Sequence, residues 1–150
     1  MLTNKAKYAL RAMIDLAVHS GGENQTRMIS EIAKDQHIPR RFLENILLEM
    51  RNEGFVVSYR GKTGGYALAR DADEISFADI IRVIDGPLAL TPCASRTAYQ
   101  KCDDCKDEMV CVLRNTLVEA RDAVADVLEN TTIAQAAANA RRKRKSRSAA

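Results

Sequence analysis

The first stretch of the chain repeats with a helical period. Leu10, Met13, Ile14, Leu16 and Ala17 fall on one side, while Lys5, Lys7 and Arg11 fall elsewhere. Thr3 is an N-cap by residue type, and Gly21 and Gly22 are expected to stop the helix after His19. The next stretch, ISEIAKDQHIPRRFLENILLEMRNEGF over residues 29–55, predicts two helices. Ser30 is expected to cap a short one that runs to Asp35. Gln36 to Pro39 make a tight connection, and Pro39 suits the first turn of a second helix ending at Asn52. The stripe of this second helix is Leu43, Ile46, Leu47 and Met50, and Gly54 takes the position just past its end. Two short helices joined this tightly form a helix-turn-helix pattern.

The period then changes. FVVSYR over residues 55–60, the turn GKTGG and the run YALAR predict strand, turn and strand, which is a β-hairpin. A hairpin directly after a helix-turn-helix has the place of a wing. Ser76 is expected to cap a further helix, FADIIRVID, stopped by Gly86 and Pro87. Residues 88–106 have no regular period. Over residues 107–129, Val110, Leu113, Leu117, Ala120, Val124 and Val127 recur at alternating steps of three and four. That is the spacing of a helix packed lengthwise on another. Asp107 and Glu108 are expected in its first turn, where the helix dipole favours acids. After Asn130 the chain turns alanine-rich and then basic, and a frayed or disordered end is expected.

Composition narrows the class. The chain has 150 residues and 46% hydrophobic content, which excludes wholesale disorder. No apolar run approaches the roughly 18–20 residues needed to cross a bilayer, and charges interrupt the apolar positions of the first segment, so neither a membrane span nor a signal peptide is expected. A cytoplasmic location follows as the expectation, and the four cysteines then suit metal ligands or redox thiols better than disulfides. The net charge of +3 averages unlike parts: residues 1–70 carry +4, residues 71–140 carry −7 and residues 141–150 carry +6.

The basic half holds the candidate DNA-reading residues. Arg40, Arg41 and Glu44 open the second helix of the pair on the face away from its apolar stripe, with Asn45 beside them. The N-terminal residues of such a helix meet base edges in the major groove. Arginine pairs with guanine, and a carboxylate accepts from the cytosine amino group. One acid among arginines suits base reading better than phosphate binding, since phosphate repels it. The alternative is a solvated face with an i,i+3 or i,i+4 ion pair. Arg60 and Lys62 flank the wing turn, and Lys5, Tyr8 and Ser30 complete the candidate contacts to double-stranded DNA.

The acidic half holds the cysteines. Cys93, Cys102, Cys105 and Cys111 have the spacing C-x8-C-x2-C-x5-C, and no cysteine occurs elsewhere. Thiolates in a loop that leads into a helix are ligands for an iron–sulfur cluster or for zinc. Free thiols acting as a redox switch are the alternative. His19, at a helix end, and His37, in the tight connection, have no partner for catalysis. GKTGG lacks the frame of a phosphate loop and joins two strands. An enzyme is not expected.

LTNKAKYALRAMIDLA, ISEIAKDQHIPRRFLENILLEMRNEGFV and YRGKTGGYALAR, followed by a helix, a cysteine loop and a long helix, resemble the Rrf-two family of bacterial transcriptional regulators (IscR-, NsrR- and RirA-like). The resemblance covers residues 1–133. It implies a mainly α fold with a small β-hairpin wing: a winged helix-turn-helix over residues 1–86, a cluster-binding loop over 87–106 and a long C-terminal dimerisation helix over 107–133. Residues 134–150 remain the basic tail. The implied function is a homodimeric regulator, expected to be a repressor, on a palindromic operator. It would sense iron–sulfur status, iron, or redox or nitrosative stress. Glu44 falls at the family's base-reading glutamate, Arg60 at the wing arginine and Tyr8 at the aromatic of the first helix. Cys93 and Cys111 match the family's first and last cluster ligands, and Cys105 has the common spacing to the last. Two positions depart: Cys102 is additional, and Arg114 stands where the family's IscR-like members have a histidine. These favour a four-iron cluster (4Fe-4S) over a two-iron cluster (2Fe-2S) with a histidine ligand. A cluster-free thiol or zinc-stabilised factor, and a protein-assembly scaffold, are the other readings.

Overall fold

The computed structural model describes residues 2–20 and 26–149. Helix α1 spans Asn4–His19, α2 Ile29–Gln36 and α3 Arg40–Asn52. Strands β1 (Val56–Tyr59) and β2 (Gly65–Leu68) follow, then α4 (Phe77–Asp85), α5 (Val112–Glu129) and α6 (Ile133–Ser148). Short 3₁₀ turns lie at Ala72–Glu74 and Pro92–Ala94. The fold is mostly helical with one two-stranded antiparallel hairpin, as the winged-helix pattern requires.

Local chemistry accounts for most boundaries. Thr3 caps α1, its hydroxyl accepting the Ala6 N–H at 3.1 Å. Gly21 and Gly22, expected to stop α1, lie outside the described residues. The expected Ser30 cap of α2 is corrected by one turn geometry. Glu31 reaches back to the Met28 N–H at 2.8 Å, so Met28 takes the N-cap position and Ser30 lies exposed in the first turn. His37 adopts a left-handed conformation (φ 51°) and makes the tight turn between α2 and α3. Helix α3 ends as expected, with Gly54 at φ 75° and the Phe55 N–H returning to the Met50 carbonyl at 2.8 Å. Ser76 caps α4 and Asp79 returns the favour to the Ser76 N–H at 2.9 Å.

The core gathers one face of each element. Met13, Ile32, Leu43, Ile46, Leu47, Met50, Ile75, Ile80 and Ile133 are fully buried. The stripes of α1 and α3 therefore face inward where their period places them. The hairpin pairs Val56 with Leu68 and Tyr59 with Gly65, so only its base reaches the core. Arg70 holds that base to α3: its guanidinium stacks on Phe55 at 4.4 Å and donates to the Glu53 and Gly54 carbonyls at 3.1 Å each.

The last third departs from expectation twice. Helix α5 starts at Val112, with Cys111 as its N-cap, so Asp107 and Glu108 precede it rather than occupy its first turn. A cysteine sulfur that accepts the Arg114 N–H at 3.4 Å supplies the cap that the acids were expected to approach. The segment expected to be frayed is α6. Thr132 and Gln135 form a capping box at its start. Reciprocal backbone bonds, Ile133 to Ile75 at 2.8 Å and Phe77 to Thr131 at 2.9 Å, pin this start to that of α4. Ile133 and Ala137 are buried against α1, and tertiary burial outweighs the fraying expected from composition. Among the described residues no helix is long and apolar enough to cross a membrane.

Candidate functional site

The candidate DNA contacts separate into two neighbouring groups. Ser30, Arg40 and Arg60 line one groove of about 380 Å³ between the starts of α2 and α3 and the wing. Lys5 and Asn45 line another of about 350 Å³, with Phe42 and Glu49, on the far flank of α3. Arg41 and Glu44 lie exposed on α3, and Lys62 is exposed in the wing turn. The ninth, Tyr8 of α1, packs against Phe42 of α3, which lines the second groove.

Their electrostatic states differ. Lys5 is committed to Glu49 at 2.6 Å. Arg40 and Glu44 form the i,i+4 ion pair at 3.1 Å that was the alternative to base reading. Both side chains remain about half exposed or more (64% and 49%), so the pair opens readily to another partner. Arg41 has no ion-pair partner among the described residues. Phe42 is a further aromatic on this face that the sequence pattern did not single out. It is 48% exposed and meets Tyr8 edge-on, with ring centroids 6.1 Å apart. Its signal was legible: it falls off the apolar stripe, on the same outward side as Arg41.

A buried ion network supports this face. Asp15, only 3% exposed, accepts from Arg27 Nε at 3.0 Å and from Gln36 Nε2 at 2.9 Å. Arg27 also donates to Asp35 at 2.6 Å. Its backbone exchanges two hydrogen bonds with Tyr66 of β2, both 2.8 Å. One residue therefore ties α1, α2 and the wing together. Burial opposes its charge, but the hydrogen bonds it donates to Asp15 and Asp35 outweigh it and raise the Arg27 pKa. In return Arg27 holds the Asp35 carboxyl below its usual range.

The cysteines form the second site. All four line one cavity of about 410 Å³ at the start of α5, together with Thr91, Arg114 and Leu117. Cys93 is buried on the Pro92–Ala94 turn, and its sulfur lies 3.4 Å from the Thr91 hydroxyl. All four are free thiols, and Cys93 and Cys102 perturb one another's titration, as do Cys105 and Cys111. The hydroxyl of Thr91 and then the Cys102 thiol lower the Cys93 pKa. Cys93 and then burial push Cys102 up to about 11. Burial and then Cys111 raise Cys105. Two arginines fasten the turn to α5. Arg114 Nε donates to the Cys93 carbonyl at 3.0 Å, and Arg121 donates to the Ala94 carbonyl. Among the described residues no three histidine, cysteine or acidic side chains converge on one point. Four thiol sulfurs around one cavity are a donor set that fits an iron–sulfur cluster or zinc.

From that cavity α5 runs out with its apolar stripe uncovered. Leu113 is 68% exposed, Val124 51% and Val127 64%, and Ala125 is its buried residue. These are the positions that the three-and-four spacing assigned to a packed seam.

Known proteins share the fold and much of the sequence. The profile of the Rrf2 family, described as an iron-dependent transcriptional regulator, matches residues 2–139. An rrf2-like HTH-type transcriptional regulator of Rhodobacter capsulatus is 42% identical over 134 residues, 89% of each chain. The structure of CymR, the global cysteine regulator of B. subtilis, superposes with a TM-score of 0.76 at 30% identity, covering 93% of this chain and 97% of that one. T. potens IscR superposes with a TM-score of 0.74 at 28% identity, covering 93% and 88%.

Proposed function

The chain belongs to the Rrf2 family of transcriptional regulators, which are not enzymes, and from that premise we propose a dimeric repressor that reads a palindromic operator and senses through its cysteine cavity. In this reading the α3 face and the wing contact double-stranded DNA. Arg41 and Glu44 read base edges once Glu44 leaves Arg40. Arg60 and Lys62 hold backbone at the wing, and Tyr8, Lys5, Ser30 and Asn45 set the register. The stripe of α5 pairs with that of a second copy and spaces two reading faces across two half-sites.

Cys93, Cys102, Cys105 and Cys111 would hold an iron–sulfur cluster, whose chemistry is to answer oxidants, nitric oxide or iron supply. The observation that carries this reading is the single cavity bordered by all four sulfurs at the N-terminus of the seam helix. Arg114 and Arg121 couple the Cys93 turn to α5, so a change in the ligand loop is felt along the seam. The test is anaerobic isolation with metal analysis, absorbance and Mössbauer spectra. We expect a brown protein with iron and sulfide, with the colour lost in Cys105→Ala. A colourless protein with one zinc per chain overturns it.

Four free thiols that perturb one another in pairs, Cys93 with Cys102 and Cys105 with Cys111, favour a second reading, a cluster-free thiol switch. The likeness to a structure named as a cysteine regulator supports it. Iron-free protein that binds its operator when reduced and releases it on disulfide formation would select this reading.

A further inference from the structure

We propose that the basic end of α6 is a second nucleic-acid contact, gripping the backbone of double-stranded DNA beside the site read by α3 and the wing. The inference rests on the DNA-binding reading above and extends it to a surface outside the winged-helix pattern. Six of the seven residues 141–147 are cationic, and no acid follows Glu129. The run is helical through Ser148 and exposed along its length.

Arg141 anchors it. Its guanidinium donates to the Ala17 carbonyl at 2.7 Å and to the Val18 carbonyl at 2.7 and 3.1 Å, satisfying acceptors in the last turn of α1. Beyond this anchor, Arg142 bonds to Asn139 of its own helix, and Lys143, Arg144, Lys145 and Arg147 have no ion-pair partner among the described residues. Like charges three and four residues apart repel, as Lys143 and Arg147 do here. An anionic partner relieves that repulsion.

Position identifies the anion. Ser20, two residues beyond Val18, borders a groove shared with Tyr59, Arg60 and Thr63 of the wing. The anchor point of Arg141 therefore stands two residues along the chain from the Ser20 that borders the wing groove, while Arg142 and Lys143 border a groove with Ile14 and Phe77. The stretch 141–148 reaches about 12 Å further at 1.5 Å per residue. That is backbone of about three to four base pairs at 3.4 Å each. Cations on all sides of a helix bind phosphate and carry no base-reading geometry.

The test uses the full chain and a duplex that it selects from a random pool. The selected site alone is compared with the same site carrying about ten more base pairs, one helical turn, on each side. The variant Lys143→Gln/Arg144→Gln/Arg147→Gln keeps Arg141 and its cap on α1, and circular dichroism checks that it folds. We expect the wild type to bind the longer duplex about tenfold more tightly and the variant to gain nothing from length. The salt slope of the variant on the long duplex should fall by about 2–3, at roughly 0.9 per phosphate, with base preference unchanged. Equal gain from length in both proteins overturns the contact. Equal loss at both lengths overturns it as well, since that describes a diffuse field. Wild-type binding to phosphatidylglycerol vesicles, lost in the variant and without any effect of duplex length, overturns it in favour of a membrane surface. Failure of the wild type to select any duplex is a different result: it removes the DNA-binding reading and this contact with it.

Discussion

Arg27 and Glu44 show how two charged residues of similar sequence appearance do unlike work. Arg27 neutralises the buried Asp15 and reaches Asp35 from a side chain that is only 12% exposed. Removing one partner of a buried pair leaves an uncompensated charge, so Arg27→Met should cost about 3 kcal/mol of stability, measured by urea denaturation. It should also release the Asp35 carboxyl upward, visible by NMR titration. The sign follows from the lowered folded value. The stability that Asp35 contributes is full above about pH 4 and is lost as pH falls through its folded pKa, so that part of the difference between wild type and variant should vanish in acid. Glu44 is the opposite case. Its exposed i,i+4 pair with Arg40 is worth about 0.3–0.5 kcal/mol, so Glu44→Ala should leave the melting temperature nearly unchanged. Its effect should appear instead as a relaxed preference at one base pair in a binding-site selection. Uniform loss at every position would count against base reading.

At the scale of elements, the wing depends on a close backbone approach. A Cβ on Gly65 would stand 2.5 Å from the Arg27 carbonyl, at a φ of 150°. Gly65→Ala should therefore break the Arg27–Tyr66 bridge and detach the hairpin, at a cost of about 1–3 kcal/mol. Faster amide exchange at Tyr66, with exchange in α4 unchanged, is the expected signature. Much of this element structure was legible in the sequence. The stripes of α1 and α3, the Thr3 and Ser76 caps and the left-handed Gly54 all depend on neighbours within a turn or two. Ser30 misled because its residue type suits a cap, whereas the Glu31 carboxylate reaches back to the Met28 N–H and starts the helix two residues earlier.

For the whole molecule, the exposed stripe of α5 leads to a concentration-dependent prediction. Val124→Glu with Val127→Glu places two charges on a face that the isolated chain leaves open, so the fold should persist. Sedimentation should show the wild type as a dimer and the variant as a monomer, with operator affinity falling by about two orders of magnitude as one half-site is lost. A dimeric variant would move the seam elsewhere. The charge partition belongs to this scale too: the +4 half carries the proposed reading face, and the −7 half carries the cysteine cavity and the stripe.

The amino-acid pattern by itself determined the helix-turn-helix, the hairpin, the seam spacing and the grouping of the cysteines. Each is written in periods, caps and short spacings that act within a few residues. Three features were decided only by tertiary structure. Arg27 became the joint of the reading face because Asp15, Asp35 and Tyr66 meet around it from three elements. The alanine-rich segment became α6 because α1 and the 3₁₀ turn at Ala72–Glu74 offered Ile133 and Ala137 a surface to bury. The four sulfurs came to border one cavity because Arg114 and Arg121 draw the Cys93 turn onto α5. In all three the stabilising partner lies far along the chain, where no local period can announce it.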